Sequence, residues 1–144
     1  MSKLVWGAAA LAAWLCLAIG IARADNSAYG GGQKWVVLSA ASNNSQLIGI
    51  PGPHLLLELT PTNSAATAMY VRLYDVAAPP TCSSATGEVA LYVVPANTVS
   101  MPPINLGELG ATFQNGIGVC ITGAFSLTDN TNAATGLAVN FTIK

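Results

Sequence analysis

AMYVRLYDV, residues 68–76, changes character at every step. Met69, Val71 and Leu73 fall on one side of an extended chain, and Tyr70, Arg72 and Tyr74 on the other. A period of two marks a half-buried strand, because successive strand side chains point to opposite faces. The pattern recurs in LAVNFTIK, residues 137–144. There Leu137, Val139, Phe141 and Ile143 are directed inward, and Ala138, Asn140, Thr142 and Lys144 outward.

Other segments read the same way. EVALYVV, residues 88–94, is a strand ended by Pro95. KWVVLSA, residues 34–40, is rich in β-formers. Leu47 to Ile50 is a short apolar piece stopped by Pro51-Gly52-Pro53. HLLLELT, residues 54–60, could form a helical turn by propensity, but its length between prolines favours a strand that closes at Pro61. Ser100 to Leu106 carries Pro102-Pro103 and is at best an edge segment. In FQNGIGVCITG, residues 113–123, a strand over Gly116–Thr122 directs Ile117, Val119 and Ile121 inward. Gly116, Gly118 and Cys120 take the other face, where small side chains permit close approach of another layer. Short strands punctuated by Pro, Gly and Asn, with no long helical period, predict one all-β antiparallel sandwich, jelly-roll or Ig-like, over residues 34–144.

The N-terminus reads differently. Lys3 precedes an apolar run from Gly7 to Ile21, and Ala22-Arg23-Ala24 follows. These are the basic, apolar and small-x-small parts of a secretory signal peptide, residues 1–24. The run is short for a membrane span, which needs about 20 residues. A retained hydrophobic anchor is the alternative; lipidation at Cys16 is disfavoured by the bulky Trp14 and Leu15 before it. The Gly-rich residues 25–33 then form a flexible lead-in. This implies a secreted, periplasmic or cell-surface protein with no stable membrane insertion once the signal is cleaved.

Beyond residue 24 only Lys34, Arg72 and Lys144 are basic, against six acids, so the net charge is about −3. Neutralising phosphates needs a basic stripe, and none exists, so nucleic acid is excluded as a partner. Cys82 and Cys120 are the only cysteines left after the signal, and an oxidising compartment predicts a disulfide between them. No Lys, Arg or His lies near either in sequence to activate a thiolate.

Catalytic chemistry finds little material. His54 is the sole histidine; Glu58 would lie on its side of an extended segment, but no serine sits on a nucleophile elbow. One His and two oxidised Cys cannot complete a structural zinc site. Asp75 and Glu88 flank one loop and could approach as a carboxylate pair, though solvated loop charges explain them better. Asp129 to Asn132 has calcium-loop oxygens without the spaced acids, and reads as a turn. No metal, cofactor or catalytic residue is expected. Asn43-Asn44-Ser45 and Asn140-Phe141-Thr142 match the short glycosylation pattern. The candidate binding surface is aromatic: Trp35, Tyr70, Tyr74 and Tyr92, with Arg72 between the two tyrosines of its strand. Core or sheet cover is the competing reading of these residues.

The order of motifs from Met69 to Lys144 is itself informative. Tyr70-x-Arg72-Leu73-Tyr74 leads into Ala78-Pro79, a strand ending at Pro95 follows, then Phe113-x-x-Gly116-Ile117 runs into Ile121-Thr122-Gly123 and the acidic turn at Asp129. This order resembles a family of small phage and prophage structural proteins. The resemblance implies a virion-associated β domain with a structural or attachment role and no catalytic residues to transfer. The chain departs from that pattern in its exported N-terminus and in Cys82 and Cys120. The expected function is therefore a non-enzymatic, exported structural or interaction domain. It would bind a protein or surface glycan, with self-assembly possible. A carbohydrate-binding or adhesin module, or a fimbria-like subunit, is the alternative.

Overall fold

The alternation of the C-terminal strand is realised residue by residue: Leu137, Val139, Phe141 and Ile143 are buried, while the residues between them are exposed or half-buried. The structure is a computed structural model and describes residues 32–40, 44–107, 109–126 and 135–144. The expected signal peptide, all but the end of the lead-in, Asn43, Glu108 and the Asp129–Asn132 turn lie outside the described residues.

Nine strands and no helix occur among the described residues: β1 (Gln33–Leu38), β2 (Ser45–Ile48), β3 (His54–Asn63), β4 (Met69–Asp75), β5 (Glu88–Val94), β6 (Ile104–Asn105), β7 (Ala111–Phe113), β8 (Ile117–Thr122) and β9 (Leu137–Ile143). They form two antiparallel sheets. One has the order β1-β9-β3-β6, with β7 also paired to β3; the other is β2-β8-β4-β5. The two pack face to face as the predicted β-sandwich. Val37, Leu56, Leu59, Phe113, Val139 and Phe141 from the first sheet meet Ile48, Met69, Val71, Leu73, Val119 and Ile121 from the second in one buried cluster. Each such side chain contributes about 1.5–3 kcal/mol by leaving water.

A buried polar stitch joins the sheets. Asn63, at the end of β3, donates from Nδ2 to the carbonyls of Thr67 at 2.9 Å, Pro95 at 3.0 Å and Val94 at 3.2 Å. Its Oδ1 accepts from the Ala65 amide at 2.9 Å. A buried amide thus finds partners for both ends, as its desolvation requires.

Beyond shifts of a few residues at strand ends, three features differ from expectation. The strand expected to close at Pro61 continues to Asn63. Asn63 donates its amide to Thr98, on the flank of β3 away from β9. Pro61, two residues earlier, directs its missing N–H to that same flank, beyond the two-residue β6, so no ladder bond is lost. The second difference is β7, which the sequence did not signal: at three residues it is too short to show a period. The third is a bulge between Leu56 and Glu58, which reverses the facing of the rest of β3.

Strand β8 shows why one alternating pattern can be buried on both sides. All six residues are buried. Ile117, Val119 and Ile121 enter the core, and the opposite face is covered by residues 76–86, which lie over the second sheet as a partial third layer. A Cβ on Gly118 would stand 2.6 Å from Val76 Cγ2 and 3.0 Å from Pro80 Cδ. Cys120, on the same face, forms the disulfide with Cys82, with the Cα atoms 5.6 Å apart. The close approach expected of the small residues is present, and the disulfide closes the layer.

Candidate functional site

The outer face of the second sheet carries most of the chemistry in the domain. Arg72 projects from β4 into the space beneath the covering loop and is fully buried. Its Nη2 donates to the carbonyls of Phe125, at 3.0 Å, and Ser126. Its Nη1 makes a long bond to the Cys82 carbonyl at 3.5 Å and lies 3.7 Å from Glu88 Oε2. Glu88 reaches it from β5, opposite Tyr74 in the register. The Tyr74 hydroxyl points at the same Cys82 carbonyl, also at 3.5 Å. Burial raises the Tyr74 phenol above the ordinary tyrosine range, with the guanidinium only partly opposing it. The phenol therefore stays protonated and able to donate. One buried cation thus ties together the covering loop, through the Cys82 carbonyl, and residues 125–126, through theirs, with the Glu88 carboxylate beside it.

At one end of this face the cover ends and an aromatic pair emerges. Phe125 is 64% exposed and meets Tyr70 edge-to-face, with ring centroids 6.1 Å apart and planes at 71°. Val93, directly opposite Tyr70 on β5, is 47% exposed. The backbone of Phe125 is held from below by Arg72, so its ring is presented by an anchored segment.

The five residues expected to form one binding surface do not converge. Tyr70 is half-buried on the outer face. Arg72 and Tyr74 share its side of β4, as the alternation implies, but both are sealed beneath the covering loop, so they are corrected from contact residues to anchors. Tyr92 pairs with the inward Val71 and packs against the core. Trp35 belongs to the other sheet, on β1, where its pairing with buried Phe141 directs it to the rim of the core. Phe125 went unnoticed in the sequence. The available signal was a large aromatic next to a polar turn, immediately after the strand.

The remaining candidates are occupied with structure. His54 Nε2 lies 2.7 Å from the Ile50 carbonyl and is the donor there. The bulge in β3 puts Glu58 on the face opposite His54, correcting the expectation that they share one. Glu58 instead accepts from Thr60 Oγ1 at 3.3 Å. Asp75 accepts from the Asn115 amide at 2.7 Å, and this bond above all holds its carboxyl below the ordinary aspartate value. Glu88 turns instead toward Arg72, so the two acids work at separate places. Among the described residues no group of three or more His, Cys, Asp or Glu could hold a metal. A groove of about 510 Å³ lies on the covering loop, lined by Val76, Pro79, Pro80, Thr81, Ser84 and Thr86 among others.

No family model, curated protein or solved structure matches this chain.

Proposed function

We propose that this chain is a non-enzymatic, exported interaction domain that acts through its surfaces. The observation that carries the reading is the Phe125–Tyr70 pair: a large exposed aromatic ring on a segment held by a fully buried arginine. Exposed aromatics on a rigid support make effective contact residues, because little conformational entropy is lost on binding. The groups that could do chemistry support the same reading, since Arg72, Tyr74, Glu88, His54 and Asp75 each have a structural partner. The disulfide suggests an oxidising setting, extracellular or periplasmic. No helix among the described residues is long and apolar enough to cross a membrane. The motif order from Met69 onward supports a decoration-like role on a particle, with a protein or glycan as the target.

The test is binding of the purified domain to intact cells, to particles from the same source and to a glycan array, each with Phe125→Ala and Tyr70→Ala beside the parent. The expected result is binding that both variants lose while their unfolding midpoints stay near that of the parent. Substrate turnover in a broad hydrolase screen, or binding that neither variant alters, overturns the proposal. Selective retention on the glycan array would favour the carbohydrate-binding reading, in which the Phe125 ring stacks on a sugar.

A further inference from the structure

The outer edge of β1 has no strand partner among the described residues. The ladder with β9 sets which backbone groups are left over. Gln33 lies opposite Ile143 and Leu38 opposite Ala138, and Ser39 donates its amide to the Leu137 carbonyl just beyond the strand. In an antiparallel ladder the residues that bond to a given neighbour alternate. The odd residues of β1 therefore bond to β9, and Lys34, Val36 and Leu38 aim their N–H and C=O groups away from the sheet. Among the described residues nothing pairs with that edge.

The side chains share this peculiarity. Val36 is 57% and Leu38 60% exposed, and they lie on the outer face opposite Asn140 and Ala138. Trp35, 39% exposed, sits at the rim of the core beside the buried Val37. The other edges are protected by ordinary devices. β2 has four residues, β6 two and β7 three. β5 is bulged where the register passes from Leu73 to Tyr74 and ends at Pro95. β1 has six residues, with no proline, no bulge and no inward charge.

We infer that β1 is the pairing edge of a symmetric dimer, its occupant being a second copy of this chain. A two-fold axis through Val36 sets Val36 against its counterpart, and Lys34 against Leu38 of the second copy. These are the residues with free backbone groups, so each finds a partner in the hydrogen-bonding frame. The frame keeps inner and outer faces continuous across the junction, so Trp35 of each copy faces Val37 of the other and extends both cores. It also keeps the strand's single charge, Lys34, away from its own image, where like charges directly opposite would repel. This self-complementarity favours a second copy over an unrelated strand. The inference deepens the proposed interaction role on its self-assembly side. It uses a different sheet from the Phe125–Tyr70 pair, so either can fail without the other.

The experiment is sedimentation velocity of the purified, disulfide-intact chain over a concentration series, with Val36→Pro and Val36→Lys beside it. Proline at 36 removes the outward N–H without taking a donor from the β9 ladder, though its ring also fixes the local φ; lysine at 36 sets two like charges across the axis. The expected result is a concentration-dependent dimer for the parent and monomers for both variants, with far-UV circular dichroism unchanged. If Val36→Pro does not fold, Val36→Lys reads the same interface, and its residual dimer grows with salt. A parent that stays monomeric up to its solubility limit overturns the inference. So does a dimer that persists in the lysine variant at low salt.

Discussion

The two outer faces of this sandwich come from similar alternating sequences and end in opposite states. On the first sheet, the outward residues of β9 and β3 include Asn140, Thr142, Thr60 and Thr62, which are exposed or half-buried. On the second sheet, the outward positions of β4 are Tyr70, Arg72 and Tyr74, and the last two are fully buried. The difference is the segment from Val76 to Thr86, which folds back over β4 and β8 and is closed by the disulfide. Alternation therefore identifies the two sides of a strand. What covers each side depends on a connection elsewhere in the chain.

The comparison can be broken most forcefully at Arg72. Arg72→Ala leaves Glu88 and several buried carbonyls without their cation, and should cost about 3–5 kcal/mol in urea unfolding. Arg72→Met alone, Glu88→Gln alone and the two together close a double-mutant cycle, in which the double variant should recover part of the loss seen in Arg72→Met. Cutting the staple has a similar scale. The 38-residue separation of Cys82 and Cys120 gives about 4 kcal/mol in the chain-entropy model, to be read as the stability lost in Cys82→Ala with Cys120→Ala.

Smaller changes sharpen the contrast. Gly118→Ala places a methyl against Val76 and Pro80, and overpacking of this kind should cost about 1–3 kcal/mol. It should also make the covering loop more sensitive to proteolysis. Asp75 gives a pH signature. Its carboxyl is held below its unfolded value, so the stability it adds is present above about pH 3.9 and is lost as the pH falls through the lower folded value. Asp75→Asn should therefore lower stability at neutral pH, where the carboxylate contributes, and leave it nearly unchanged below the folded value, which flattens the acid limb of the profile. On the uncovered face, Asn140→Ala should shift stability by no more than about 0.5 kcal/mol.

Legibility in the sequence followed the range of the interactions. β4 and β9 could be read closely because local alternation defines them. β7 could not, because three residues hold no period. The bulge in β3 was equally hidden, and it separated His54 from Glu58. The candidate surface suffered most. Tyr70, Trp35 and Tyr92 were correctly seen as large aromatics in strands, yet their directions depend on which sheet each strand joins. Phe125 lay outside every strand and was marked only by its place beside a polar turn.

By itself the sequence determined the strand character of most segments, the sides of β4 and β9, and the pairing of the two cysteines expected to remain after export. Those follow from local stereochemistry and from elimination. Only the tertiary structure decided that Arg72 and Tyr74 are anchors, that Phe125 is presented to solvent, and that the outer edge of β1 has no partner among the described residues. The reason is physical: burial is a property of what packs against a residue, and here the packing partners lie tens of residues away along the chain.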